Sequence, residues 1–593
     1  MFDTSGVPFR THLRQLQVVV RRTGFASVGL VTLVTVVGIL SAFAVRVFEA
    51  IVDRLFQSGY RDFPAFLTRH ALPGWAAFLV FPLVVGLLVA GVKLLVPQAD
   101  RPHSVPLVII SMLKRDGRLR PVSTLLKSIA AILTLGAGGS LGREGPVVLL
   151  GGGVGSALGQ LLRLPPDWLN TLIAAGAGAA VATAFHAPIT GAFFAMEIVL
   201  IQFSSRSFAL VALACVAASQ TSQLLVGAPA FPIPAYQMHS PWEIAIYLVL
   251  GLLIAPLARL YIGVIYGAEH AGKAVTFIPS WLKPALGGVL FGVVAILLPR
   301  TLGGGYETIS DALVGKLSLG LLVFLLVAKL VTIGLTSGSG WPGGVFTPAL
   351  FLGSMAGGAF GLLAHALFPG LVTQPGAYAV VGMAAMIAGA AHAPLTAMTL
   401  IFEVTRDYRV AMPAMLACGV AAVFSQRLSP YSIDTLHLPE HGVLLPWQVQ
   451  DLRGIRVGDV MSRAVHTVRT DMQLKTVIER MQQHRHGGYP VLDPDGLLAG
   501  MLTLRDVREV PLAERLETPV SAAMAPHLVV VTPEQSMADA ALLMARHRIG
   551  RLPVVDPDNP GQLVGIISRS DIVRSYPTEN RETEPLQEAF LER

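Results

Sequence analysis

Glu144 stands in the string Gly142-Arg143-Glu144-Gly145-Pro146, within a stretch otherwise almost free of charge. A carboxylate at membrane depth is costly unless it faces water, pairs or takes up a proton, so its presence there marks a functional group. Pro146 suits the first turn of a helix, and the glycines leave the preceding amides uncovered. Uncovered amides at a helix start attract anions, and a tethered carboxylate can hold that seat when no mobile anion does. The chemistry is then competition: Glu144 leaves the seat when it is protonated or displaced. The plainer alternative is a structural ion pair between Arg143 and Glu144.

A companion string, Gly344-Val345-Phe346-Thr347-Pro348, has the same form without an acid. The N–H groups around Val345 and Phe346 would meet an anion at the start of the following helix, with Phe346 narrowing the path. Glu197 and Glu403 lie 11 residues after His186 and His392. They read as groups that brace each half of the chain, with a proton-path or gating role as the alternative. Near the C-terminus, Thr503 with Asp506 and Ser568 with Asp571 share the form S/T-x-x-D. At a strand-to-helix turn such a pair can meet a phosphate and a ribose hydroxyl, or can simply cap the helix. The sequence contains neither a phosphate-binding loop of the Walker type nor a plausible nucleophile–base set, and the two cysteines, Cys215 and Cys418, sit in apolar runs. Enzymatic chemistry and a metal centre are therefore not expected.

The elements that must hold these groups follow from composition. The chain has 593 residues, 53% of them hydrophobic and 14% charged. Residues 1–450 carry 27 Lys and Arg against 17 Asp and Glu, whereas residues 451–593 carry 17 against 20. One chain serves two solvents, a bilayer and water. The basic excess lies in the apolar part, where it marks the ends of membrane spans rather than nucleic-acid contacts. Apolar segments recur from 25–45 to 412–426, some long enough to span and several near 12–15 residues. Short, Gly- and Pro-interrupted pieces suggest helices that stop partway through the membrane with their ends facing a polar site.

The apolar part repeats itself. His186, Ala187, Pro188, Thr190 and Glu197 recur as His392, Ala393, Pro394, Thr396 and Glu403 at a constant offset of 206, and a Gly-rich string ending in Pro precedes each copy. Two related halves, about 25–226 and 243–440, are expected to meet at a common interface. The tail is duplicated too: Pro490 pairs with Pro553 and Asp506 with Asp571. Each tail unit reads as helix, strand, turn, strand, helix, too small to bury a strong core without its sister.

Together these strings resemble the CLC family of chloride channels and chloride/proton exchangers with a C-terminal pair of CBS domains. The fold so implied is an all-α polytopic membrane protein of two inverted-topology repeats followed by an α/β CBS pair. The boundaries are an N-terminal segment 1–24 on the cytoplasmic side, the membrane part 25–440, a linker 441–454, CBS units 455–510 and 518–575, and a disordered tail 576–593. The resemblance implies a homodimer in the bilayer, chloride as the bound ion, no required cofactor, an adenine nucleotide (ATP, ADP or AMP) as a candidate ligand of the CBS pair, and no nucleic-acid partner. It makes Glu144 the gating glutamate, with Arg143 beside it, and Val345 and Phe346 amide donors to chloride. The family's first anion string falls on residues 102–106 with both glycines lost, so His103 or Ser104 would supply that contact. The pore tyrosine falls on Tyr431 or, in another register, on Asp434; Tyr431 is preferred because a phenolic O–H can donate to chloride. Exchangers of the family often carry a second acid where this chain has Ile198, which favours a channel, with coupled exchange as the alternative. A membrane-anchored nucleotide sensor without transport is the reading of a different class. A bacterial inner membrane with cytoplasmic CBS units is the expected location.

Overall fold

The computed structural model describes residues 9–97, 100, 104–227, 240–372, 374–439, 452–484, 487–511, 514, 515, 517–525, 528–547 and 549–574, with side chains from residue 29 onward except at 482, 484, 545, 573 and 574. His103, most of the 441–454 linker and the 576–593 tail lie outside the described residues. The chain divides into two units, Met1–Leu438 and Pro439–Arg593.

The first unit is helical throughout. Its first half contains α1 (Phe9–Gln57), α2 (Phe63–Arg69), α3 (Ala76–Leu95), α4 (Ser104–Lys114), α5 (Pro121–Gly136), α6 (Glu144–Leu161), α7 (Pro166–Phe185), α8 (Pro188–Phe194) and α9 (Ser205–Val226). The second half contains α10 (Glu243–Ala274), α11 (Lys283–Leu297), α12 (Tyr306–Leu313), α13 (Leu319–Gly338), α14 (Phe346–Leu367), α15 (Pro375–Ala391), α16 (Pro394–Thr405) and α17 (Tyr408–Leu428). Among the described residues, eight helical stretches are long and apolar enough to cross a membrane, and shorter apolar helices of 10–17 residues lie between them. Helix α1 is described from Phe9 and runs without interruption through the expected N-terminal segment 1–24 into the apolar stretch. Along it Val34, Val37, Val45 and Phe48 are buried while Val36, Leu40, Phe43 and Val47 are exposed. A helix apolar on every face belongs in lipid on its outer side.

The two halves use the same packing device. A Cβ on Gly176 would lie 2.1 Å from the Gly151 carbonyl oxygen, and one on Gly382 would lie 2.5 Å from that of Gly353. Glycine at these positions lets α6 approach α7, and α14 approach α15, backbone to backbone. Both α7 and α15 then end on a histidine in the left-handed region, His186 at φ 53° and His392 at φ 56°. The following Ala-Pro cannot continue the helix, and the proline opens the next one, α8 or α16.

The second unit holds two α/β modules. The first comprises β1 (Val468–Arg469), α19 (Leu474–His484), β2 (Gly488–Leu492), β3 (Leu498–Thr503) and α20 (Leu504–Glu509), preceded by the single turn α18 (Val457–Val460). The second comprises α21 (Val520–Ala523), α22 (Met537–His547), β4 (Arg551–Val555), β5 (Leu563–Ser568) and α23 (Arg569–Arg574). Strands β2 and β3 pair antiparallel, as do β4 and β5. The modules exchange their leading segments: Ser462 bridges to Ile566 in β5, and Ala525 bridges to Met501 in β3. Leu452, Val457 and Met461 accordingly complete the core of the second module, and Val520 that of the first. Each small core is closed by its sister, as the size of the units requires.

Candidate anion site

The two glycine-rich strings meet. Gly142 N–H donates to the Gly344 carbonyl at 2.6 Å, and Gly344 N–H returns a bond to the Gly142 carbonyl at 2.7 Å. A Cβ on Gly344 would come within 2.6 Å of the Gly145 nitrogen, so the contact needs glycine there. This short ladder fixes the start of α6 against the start of α14 across more than 200 residues of sequence. Glu144, the first residue of α6, is 2% exposed. Its Oε2 accepts from the Thr347 N–H at 3.2 Å, and its Oε1 accepts from the Thr347 hydroxyl and from the Tyr306 hydroxyl at 3.0 Å. The carboxylate therefore occupies the first turn of α14, where helix N–H groups have no intrahelical acceptor and the dipole favours negative charge.

Arg143 does not pair with Glu144 among the described contacts. Its guanidinium lies 4.6 Å from the centre of the Tyr306 ring and bonds Glu49 at 3.2 Å, and Glu49 in turn bonds Arg46 at 2.5 Å. The ion pair holds the cation over the phenol that donates to Glu144. Tyr306, Thr347 and Glu49 are the site's partners that the sequence reading did not single out. Tyr306 heads α12, a short helix with polar and acidic residues, and no spacing rule connects it to a loop 162 positions earlier.

Below the carboxylate lies a cavity lined in part by Ser104, Glu144, Val345, Phe346, Ile433 and Asp434. Glu144 and Phe346 begin α6 and α14, and Ser104 is the first described residue of α4, so the N-terminal ends of these helices converge on it. Phe346 packs against Phe185 and Phe194 at ring-centre distances of 5.9 and 6.3 Å, which makes one wall apolar and narrow. Tyr261 on α10 donates its hydroxyl to the Val345 carbonyl and so fixes the loop before α14. Of the two candidates for the tyrosine position, the cavity lining includes Asp434 and not Tyr431. The cause is local: after α17 the chain turns back, Ile433 N–H donates to the Ala390 carbonyl at 2.9 Å, and the next residue is delivered to the cavity. Tyr431 is instead knitted through its backbone to the Ser429 hydroxyl.

Glu197 and Glu403 lie away from this cavity and make reciprocal caps. Glu197 accepts from the N–H groups of Leu395 and Thr396 at 3.1 and 2.7 Å and from the Thr396 hydroxyl at 2.6 Å, all at the start of α16. Glu403 accepts from the N–H groups of Ile189 and Thr190 at 2.8 and 2.7 Å and from the Thr190 hydroxyl at 2.7 Å, at the start of α8. Each half caps a helix of the other with the same residues, 206 positions apart. In the tail, Thr503 with Asp506 forms a capping box, the carboxylate accepting the Thr503 N–H at 2.7 Å. Ser568 and Asp571 repeat the bond at 2.8 Å. No group of three or more metal-ligating side chains occurs among the described residues.

A helical membrane unit of two matched halves, with helix starts converging on a buried cavity, defines a membrane transport protein. Residues 81–426 match the family model for voltage gated chloride channels, and residues 457–513 and 520–577 each match the CBS domain. The protein belongs to the CLC family, with its two inverted halves, and carries a CBS pair. It is 31% identical over 417 residues to the voltage-gated ClC-type chloride channel ClcB of Citrobacter koseri, covering 69% of this chain and 98% of that one. It is 33% identical over 313 residues to the H(+)/Cl(-) exchange transporter ClcA of Klebsiella pneumoniae, covering 51% and 66% respectively. Its fold matches the crystal structure of a eukaryotic CLC transporter with a TM-score of 0.68 at 21% identity, over 91% of this chain and 97% of that one.

Proposed function

We propose that the protein conducts chloride and similar small monovalent anions passively across the membrane, with Glu144 as the tethered group that closes the path. The seat of the Glu144 carboxylate on the Thr347 N–H, at the head of α14, carries this reading. A negative oxygen already sits on helix-start amides beside Val345 and Phe346, so a mobile anion can take the same place once the carboxylate leaves. Ser104 at the start of α4 offers a further polar contact to that anion. Protonation removes the charge that the amides and Tyr306 hold, so flux should rise as the pH falls on the side Glu144 faces. Purified protein in liposomes, with chloride efflux and proton movement recorded together, tests the reading. Wild-type flux should carry no uphill protons, and Glu144→Gln should conduct at a rate independent of pH. A steep pH dependence retained in Glu144→Gln would remove Glu144 from the role.

Coupled chloride/proton exchange is the second reading, favoured by the similarity to the Klebsiella exchange transporter; Ile198, which cannot relay a proton, weighs against it. The family further supports a homodimer in a bacterial inner membrane with the CBS pair in the cytoplasm. The duplicated Thr503/Asp506 and Ser568/Asp571 turns support an adenine nucleotide as the ligand of that pair, their hydroxyl and carboxylate groups exchanging local caps for phosphate and ribose.

A further inference from the structure

Asp434 is a second acid at the anion cavity, and its surroundings differ from those of the other buried acids. It is 6% exposed and lines the cavity beside Val345 and Phe346. Among the described residues its carboxyl group accepts no hydrogen bond and forms no ion pair. By contrast, Glu49 is held by Arg46 and Arg143, Asp100 by Arg115 and Ser123, and Glu144 by Thr347 and Tyr306. The titratable groups packed around Asp434 are already committed. Tyr261 gives its hydroxyl to the Val345 carbonyl, and Tyr266, a little over a turn along α10, gives its own to the Ile433 carbonyl at 2.8 Å. His437, three residues on, pairs with Glu269 at 3.3 Å and packs tilted against Tyr266 at 4.3 Å between ring centres, so any charge it gains is matched by that acid. Among the described residues, the remaining charged group facing the cavity is Glu144, which is also negative.

An anion on the amides at residues 345 and 346 and an ionised carboxylate cannot share so small a space without a cation between them. A protonated carboxyl can: it brings no charge and offers one O–H donor, the service a phenol or serine would give. Building on the chloride reading above, we propose that Asp434 is a proton-dependent anion ligand, so that the cavity takes up one proton when a small monovalent anion binds and returns it to the side it came from when the anion goes. The proton comes from solvent and resides on the Asp434 carboxyl while the anion is bound. In the empty cavity the proton is free to leave. The device needs no acid at Ile198 and operates in a channel, where it makes anion occupancy sensitive to pH, or in an exchanger.

The test is calorimetric titration of the full-length protein with chloride at several pH values, in buffers of different ionisation enthalpy so that protons taken up per chloride can be counted. It is run on Glu144→Gln, which removes the other cavity carboxylate, and on Glu144→Gln/Asp434→Asn. In Glu144→Gln, chloride affinity should weaken by up to about tenfold per unit rise in pH, with about one proton taken up per chloride at the upper end. Adding Asp434→Asn should abolish both the slope and the uptake while chloride still binds. PH-independent binding without uptake in Glu144→Gln, or an unchanged slope after Asp434→Asn, would overturn the proposal. The proton count in Glu144→Gln needs no change at position 434, so it decides the matter even if the Asn variant does not fold. Failure of chloride to bind either protein at any pH would instead overturn the chloride reading, and this proposal with it.

Discussion

The seat of Glu144 combines three donors of different origin: a main-chain N–H and a hydroxyl from Thr347, and a phenol from Tyr306 that lies under the Arg143 guanidinium. Hydrogen bonds to a charged group contribute roughly 1.5–3 kcal/mol each, so the phenol alone shifts the balance between seated and released carboxylate by about tenfold or more. Tyr306→Phe keeps the ring and its cation but loses that bond. The charged, seated form is then weakened relative to the protonated one. Flux at neutral pH should rise several-fold, and the pH of half-maximal flux should move upward by about one unit, as read in the liposome assay. An unchanged pH profile would show that the phenol does not set the balance between seated and protonated Glu144. The sequence made Glu144, Val345 and Phe346 legible because charge, Gly and Pro stand out against an apolar background. It could not show Thr347 and Tyr306 as partners, because those contacts exist only once loops 203 and 162 residues apart are brought together. Asp434 shows the opposite failure: donor chemistry alone favoured Tyr431, but the path of the chain after α17 decides which side chain reaches the cavity.

At the scale of elements, Glu197 and Glu403 form reciprocal caps between the two halves. Each carboxylate satisfies two N–H groups and a hydroxyl at the first turn of a helix in the opposite half, so the caps join the repeats rather than closing either one. Periodicity and the 206-residue offset exposed the duplication and suggested a bracing role. The exchange between halves was not legible, because a repeat in sequence is equally consistent with each copy capping itself. Replacing Glu197 or Glu403 by Gln retains one acceptor but removes the charge, which should cost about 1–2 kcal/mol per site. The expected outcome is a lower unfolding temperature in detergent for each single variant and a larger drop for the double variant, with chloride flux per folded molecule unchanged. Loss of flux with unchanged stability would instead place these acids on the transport path.

On the scale of the whole molecule, two units of different chemistry each close their own core. The membrane unit ends at Leu438, four residues after Asp434, and contains every group assigned to the anion cavity. The tail unit needs both of its modules, because Met461 and Val520 are lent across to complete the sister core. Removing one module should therefore unfold the other, whereas removing residues 439–593 together leaves no core half-built. A chain ending at Leu438 is expected to insert, fold and conduct chloride with the pH dependence of the full-length protein, since neither Glu144 nor its donors lie beyond that point. Any response of flux to adenine nucleotides in the full-length protein should be absent from the shortened one, because the Thr503/Asp506 and Ser568/Asp571 turns are gone. Chloride efflux from liposomes containing each protein, with and without nucleotide, separates the two contributions. A folded but silent truncation would mean that the tail takes part in conduction itself, and a nucleotide response surviving the truncation would place the nucleotide site in the membrane unit.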